Sequence, residues 1–153
     1  MSSAPERRAE IVNARIAETG IDEAMIRDLV FTFYDGVRRD PMLAPVFEAK
    51  ISDWAPHLER MCDFWSSVAL MTGRFHGQPM RVHAPLPVEG AHFDRWLALF
   101  DKAADGVCPP PAAAFFKSRA RQIGASLELG IASSRGVLLG KGERLGPLQP
   151  VAT

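Results

Sequence analysis

The segment DEAMIRDLVFTFYDGVRRDP, residues 22–41, contains the clearest periodic pattern in the chain. Its large apolar residues recur at positions i, i+3, i+4, i+7 and i+11, which places them on one face of an α-helix. They are Ile26, Leu29, Val30, Phe33 and Val37. Asp22 is suited to cap the helix, because a carboxylate accepts hydrogen bonds from the free amides at a helix start. Pro41 then ends it, so the segment predicts one long amphipathic helix.

Three further segments show the same helical periodicity. The first begins near residues 52–53, with Pro56 in its first turn, where a missing amide hydrogen is tolerated. The second spans about residues 91–107 and ends at CPPP, residues 108–111, and the third spans about residues 112–131. No segment alternates apolar and polar residues as a half-buried strand does. The sequence therefore predicts an all-α protein with four substantial helices.

The composition predicts one folded domain with two flanking segments. The chain has 153 residues, of which 47% are hydrophobic, and this is enough to form a buried core. We expect a charged helix or arm in residues 1–20 and the folded domain in residues 21–132. Residues 133–153 are rich in glycine and proline and show no helical period, so we expect a flexible tail there.

Charge, cysteine content and motifs argue against several classes of protein. The 18 Lys and Arg residues balance the 18 Asp and Glu residues, so no basic surface for nucleic acid or membranes is expected. The two cysteines, Cys62 and Cys108, form no CxxC pair. This pattern, with no signal peptide and no apolar membrane span, predicts a soluble cytoplasmic protein. The P-loop, the dinucleotide glycine motif and the G-x-S-x-G elbow are also missing.

The segment HGQPMRVHAPLP, residues 76–87, contains two of the four histidines and three of the twelve prolines. His83 lies between Pro79 and Pro85, where the chain has little backbone freedom to lose. A neutral imidazole in a fixed orientation is a suitable ligand for a metal such as haem iron. A tight corner around a histidine with no such role gives the same pattern, so both interpretations stay open.

Three polar side chains interrupt the apolar helix faces and are further candidates. They are Tyr34, His57 and Trp96. A buried phenol, imidazole or indole needs a hydrogen-bond partner, which a small bound ligand opposite His83 would supply. The alternative is that all three are ordinary core residues. A zinc site built from the four histidines is a weaker alternative, because their spacing matches no usual ligand pattern, and His76 and His92 are predicted to be surface residues.

Four segments together resemble the truncated haemoglobins of group III. They are FYDGVRRDPMLAPVF (33–47), DWAPHLERMCDFWSSV (53–68), FHGQPMRVHAPLP (75–87) and HFDRWLALFDKA (92–103). Their order and spacing also match, and the resemblance covers about residues 22–131. It implies a globin-like fold, a truncated two-over-two helical sandwich around haem b.

The resemblance also implies roles for individual residues. His83 matches the proximal ligand of the iron. The residues that match the distal side, where a gas would bind, are Tyr34, His57 and Trp96. Phe47 matches a phenylalanine that packs on the porphyrin. Further candidates for the wall of the cofactor pocket are Phe64, Trp65 and Met80.

The implied function is binding of O2 or another diatomic ligand at haem iron. Several hydrogen-bond donors near the ligand slow its release, which favours sensing, sequestration or ligand chemistry over bulk transport. One alternative is a nitric oxide dioxygenase or a peroxidase-like enzyme that depends on an external reductase, because no flavin or nicotinamide motif is present. Another is a haem-free helical interaction module.

Overall fold

A computed structural model describes residues 3–147, which contain seven α-helices and no strand. The helices are α1 (Ala4–Thr19), α2 (Glu23–Arg39), α3 (Ala44–Glu48), α4 (Trp54–Leu70), α5 (Pro79–His83), α6 (Gly90–Val107) and α7 (Pro110–Ser134). The prediction of an all-α protein is confirmed. The four predicted long helices are α2, α4, α6 and α7. Within the described part of the chain, no helix is long and apolar enough to cross a membrane.

Local sequence signals account for where the helices begin. The side chain of Asp22 accepts a hydrogen bond of 2.8 Å from the amide of Met25 and caps α2, as predicted. Helices α3, α5 and α7 each have a proline at their first or second position, where no amide hydrogen is required. After α2, the buried carboxylate of Asp40 accepts hydrogen bonds from the amides of Met42 and Leu43 and fixes the corner that leads into α3.

The long helices pack as two pairs. Helix α2 contacts α4, α6 contacts α7, and α2 also crosses α6, so one pair lies over the other. Aromatic side chains fill the space between the pairs. Trp65 of α4 stacks on Phe100 of α6 with ring centroids 5.1 Å apart, and Phe33 of α2 meets Phe100 edge-on at 5.3 Å. These contacts place the core in the centre of the sandwich and leave a cavity beside it.

The N-terminal segment forms helix α1, which packs on the domain. The guanidinium of Arg15 donates hydrogen bonds to the carbonyl oxygens of Val68 and Ala69 at the end of α4. It also lies 4.6 Å from the centroid of the Phe115 ring in α7. The sequence predicts either a helix or an arm, and the structure has a helix that bridges α4 and α7.

The predicted C-terminal tail, residues 133–153, overlaps the last turn of helix α7 and continues beyond it. Helix α7 continues to Ser134, beyond the predicted boundary at residue 132, and residues 135–147 then form no helix. Arg144 nevertheless forms ion pairs with Asp94 of α6 and Glu128 of α7, and Leu145 is only 5% exposed. Ion pairing and burial therefore attach this segment to the domain. The remainder of the predicted tail, residues 148–153, lies outside the described residues.

Candidate functional site

A cavity lies between the two helix pairs and is lined mainly by apolar side chains. Its walls come from α2, α3, α4, α6, α7 and the segment that contains α5. Seven of the eight predicted site residues line it. They are Tyr34, Phe47, His57, Phe64, Trp65, His83 and Trp96. The fold thus brings together residues that are far apart in the sequence.

His83 is held by a hydrogen bond within its own short helix. Its ring nitrogen Nδ1 lies 2.6 Å from the carbonyl oxygen of Pro79. A carbonyl oxygen can only accept, so Nδ1 carries the proton and donates it. In the neutral ring, Nε2 then keeps its lone pair and is free to bind a metal, which is the usual arrangement of a metal-binding histidine.

The chain that follows His83 is also fixed by hydrogen bonds. The amide of Leu86 donates to the carbonyl of His83 at 3.0 Å, and the amide of Val88 donates to the carbonyl of Leu86 at 3.0 Å. The guanidinium of Arg135, just after α7, donates through Nη2 to the same Leu86 carbonyl at 2.7 Å, while its Nη1 is buried without a partner among residues 3–147. The position of His83 is therefore set by its neighbours on both sides.

His57 lies on α4 and has a different environment. Its ring meets the Tyr34 ring edge-on at 5.1 Å and the Trp54 ring at 5.7 Å. Its Nε2 atom is buried and has no hydrogen-bond partner in the described part of the chain. Burial, together with the charges of Arg60 and His83, lowers the pKa of His57, so the neutral ring is favoured. An unpartnered polar atom at a cavity is a suitable contact for a small ligand.

Tyr34 is buried beside His57. Its ring contacts Phe33 at 4.9 Å and Phe47 at 5.9 Å, both edge-on, and these contacts fix its orientation. Burial raises the pKa of its phenol well above the ordinary value, so the hydroxyl keeps its proton at neutral pH. Tyr34 is thus a permanent hydrogen-bond donor at the cavity.

Trp96 of α6 lines the cavity from the other helix pair. Its ring stacks on Phe100 with centroids 5.7 Å apart and meets Phe33 edge-on at the same distance. Gly124 of α7 lies against the indole, and both residues are part of the cavity wall. The indole N–H is a donor that does not titrate, so it complements the phenol of Tyr34.

Met80 is the one predicted site residue that the structure does not bring to the cavity. Its side chain packs against Gly130 of α7. The first and last residues of α5, Pro79 and His83, do line the cavity. The contact with Gly130 turns the side chain of Met80 towards α7.

The sequence analysis missed three polar residues of the cavity wall. They are Arg60, Gln78 and His92. His92, predicted to be a surface residue, accepts a hydrogen bond of 3.0 Å at Nδ1 from the amide of Glu89, so its Nε2 carries the proton. The spacing of Glu89 and His92 resembles a capping box, a signal available in the sequence. Arg60 lies three residues after His57 and thus on the same helix face.

Comparison with known proteins identifies the family of this chain. The family model of the bacterial-like globins matches residues 17–112, more than half of the chain. A group 3 truncated hemoglobin of Campylobacter jejuni is 33% identical over 88 residues, which cover 54% of this chain and 69% of that protein. The group 2 truncated hemoglobin YjbI of Bacillus subtilis is 29% identical over 89 residues, which cover 57% of this chain and 67% of that protein.

A solved structure extends the similarity to three dimensions. The crystal structure of the group III truncated hemoglobin from Campylobacter jejuni matches with a TM-score of 0.67 and 29% identity, and the match covers 70% of this chain and 88% of that one. The prediction of a truncated globin fold is therefore confirmed. The chain belongs to the bacterial-like globins and, within them, to the group III truncated haemoglobins.

Proposed function

We propose that this chain binds haem b in its cavity and that Nε2 of His83 is the protein ligand of the iron. The hydrogen bond from His83 Nδ1 to the carbonyl of Pro79 is the observation that carries the proposal. It leaves the lone pair of Nε2 free and fixes the plane of the ring, which is what a metal-binding imidazole requires.

The residues of the cavity are suited to haem. Its walls are mainly apolar, as a porphyrin ring requires, and aromatic side chains such as Phe47 and Phe64 contribute to them. The Nε2 atom of His57 is buried and has no hydrogen-bond partner among the residues that the structure describes. A cofactor that binds a small polar ligand in the cavity would supply a hydrogen-bond partner for this atom.

We propose that Tyr34, Trp96 and His57 surround the ligand-binding position. When bound, haem supplies an iron atom that coordinates a diatomic ligand such as O2. Tyr34 and Trp96 would donate hydrogen bonds to that ligand, because burial keeps the phenol protonated and the indole N–H does not titrate near neutral pH. His57 accepts or donates according to its partner, and its ring lies close enough to Tyr34 to orient the phenol.

Two donors at one ligand predict slow release. A hydrogen bond to a strongly polarised group contributes about 1.5–3 kcal/mol, so two slow dissociation by about two to four orders of magnitude. Slow release is suited to sensing, sequestration or ligand chemistry and not to bulk transport. Nitric oxide dioxygenation or peroxidase-like turnover on this scaffold would require a reductase or a peroxide supplied from outside the chain.

Titration of the haem-free protein with haemin, followed by the Soret absorption band, tests the proposal. We expect saturation at one haem per chain for the natural sequence and for His76→Ala, a matched control in an exposed loop. We expect His83→Ala to lose the band or to bind haem much more weakly. Normal haem binding by His83→Ala would contradict the ligand assignment, and no Soret band in the natural protein would contradict the proposed function.

A further inference from the structure

Arg144 connects the C-terminal segment to both helices of the second pair. Its guanidinium donates two hydrogen bonds to Asp94 of α6, at 2.8 and 3.2 Å, and one of 2.9 Å to the carbonyl of Gly90 at the start of α6. Its Nε lies 3.0 Å from both carboxylate oxygens of Glu128 in α7. One side chain therefore links α6, α7 and the segment that follows them.

Glu128 makes this link different from an ordinary surface ion pair. The residue is only 7% exposed, and a buried carboxylate is costly unless it is paired and hydrogen-bonded. Its neighbours on α7, Leu127 and Ile131, line the cavity. Arg144 thus pairs with the buried carboxylate of Glu128 on α7, a helix that forms part of the cavity wall.

Leu145 completes the attachment beside the same wall. Its carbonyl accepts a hydrogen bond of 2.7 Å from the amide of Gly90. Its side chain is buried in a small cluster with Val88 and Ile131. Both of these residues also line the cavity, and Val88 follows His83 by only five positions. The outer surface of the wall is therefore covered by Leu145, and its inner surface faces the cavity.

We propose that residues 144–145 form a C-terminal strap that positions the wall beside His83 and thereby slows loss of the cofactor. The inference rests on the proposed function, since it assigns Arg144 as a positioning residue for the haem site. The strap acts through Gly90, Val88 and Glu128, without contact to the cofactor itself. Arg135 adds a second link from the end of α7 to the carbonyl of Leu86.

The matched control is Arg121, which joins the same two helices elsewhere. It donates hydrogen bonds to both carboxylate oxygens of Asp101, at 2.6 and 3.1 Å, so it also links α7 to α6. Neither Arg121 nor Asp101 lines the cavity. Replacing Arg121 with alanine removes a comparable ion pair between α6 and α7 and leaves the strap intact.

The first test measures the rate at which the haem-loaded protein transfers haem to an excess of a high-affinity scavenger protein. We expect Arg144→Ala to speed haem loss by about tenfold and Arg121→Ala to leave it within about twofold, because only the former leaves a buried carboxylate unpaired beside the wall. Equal rates for the two variants, or an unchanged rate in Arg144→Ala, would overturn the inference. If Arg144→Ala does not fold, Arg144→Lys replaces it in the comparison with Arg121→Ala. We then expect a smaller acceleration of haem loss that still exceeds that of Arg121→Ala, because lysine keeps the charge and loses the fork of donors.

Two further measurements separate positioning from general stability. We expect the iron–histidine stretching band of the reduced protein to shift or broaden in Arg144→Ala and not in Arg121→Ala. We also expect hydrogen exchange of the amides in residues 86–93 to accelerate only in Arg144→Ala. Spectra and exchange that respond equally to both substitutions would show a general effect on α6 and α7. Haem binding by the natural protein is measured independently and tests the proposed function. A failure of the proposed strap can therefore be distinguished from a failure of the proposed function.

Discussion

Two of the histidines that line the cavity, His83 and His57, are held in opposite ways. His83 lies on a five-residue helix, and its ring nitrogen Nδ1 donates to the Pro79 carbonyl at 2.6 Å. His57 lies near the start of a seventeen-residue helix, yet its Nε2 atom is buried without a partner in the part of the chain that the structure describes. The histidine on the shorter helix is therefore the one whose ring orientation and tautomer are fixed by a hydrogen bond.

This difference fits the roles proposed for His83 and His57 on the two sides of a haem. A residue that binds the metal permanently benefits from a fixed ring and a fixed tautomer, because any rearrangement weakens the bond. A residue that contacts a reversibly bound ligand needs a polar atom that is not already hydrogen-bonded to the protein. Trp54, which packs against both His57 and Tyr34, likewise has a buried Nε1 atom without a partner among residues 3–147.

The largest expected effect on the distal side comes from removing both permanent donors. We expect Tyr34→Phe or Trp96→Phe to speed O2 dissociation by about tenfold each, and the double variant by about a hundredfold, since each substitution removes one hydrogen bond. Stopped-flow measurement of O2 release tests this. Phe64→Leu is the control, because it changes a cavity residue that carries no donor. Unchanged release in the double variant would show that neither residue contacts the ligand.

His57 is expected to have a smaller effect, mainly on ligand entry. Its ring borders the cavity and contacts Tyr34, but its Nε2 atom has no hydrogen-bond partner within residues 3–147. We expect His57→Leu to change O2 association by about threefold, with a smaller change in dissociation. Flash photolysis of the carbon monoxide form in mixtures of carbon monoxide and O2 gives the O2 association rate. If His57→Leu speeds O2 dissociation more than the Tyr34 and Trp96 double variant does, the roles of these residues are reversed.

The smallest expected effect is the pH dependence that His57 confers on stability. Its pKa is lowered in the folded protein, so between the ordinary value of about 6.5 and the lowered value the unfolded chain binds more protons. The free energy of unfolding should therefore fall as the pH decreases through this window. We expect the free energy of unfolding of His57→Leu to decrease less steeply with falling pH, and the two slopes should differ by at most the contribution of about one proton. Urea unfolding at a series of pH values measures both slopes. An identical pH dependence would contradict the burial of a neutral His57.

Much of this arrangement was predictable from the sequence. The apolar periodicity of residues 22–41 located α2, and with it the position of Tyr34 on the buried face. The proline-containing segment around His83 predicted a short, fixed element. These features depend on local sequence, where helix periodicity and proline chemistry act directly.

Long-range contacts were not predictable in the same way. Arg144 and Leu145 lie in a segment without periodicity, and their partners at Gly90 and Asp94 are about fifty residues away in the sequence. No pattern within residues 133–153 indicates that Leu145 is buried. Met80 shows the same limit, because the direction of its side chain depends on how the short helix α5 packs against α7.

Rescue of His83→Gly by imidazole tests the central claim most directly. The substitution removes the proposed iron ligand and leaves space for a free imidazole in its place. We predict that His83→Gly binds haem weakly alone and regains a stable Soret band and O2 binding when imidazole is added, whereas His57→Gly needs no imidazole to retain haem. Stable haem binding by His83→Gly without imidazole, or imidazole-dependent binding by His57→Gly alone, would contradict the assignment of His83 as the proximal ligand.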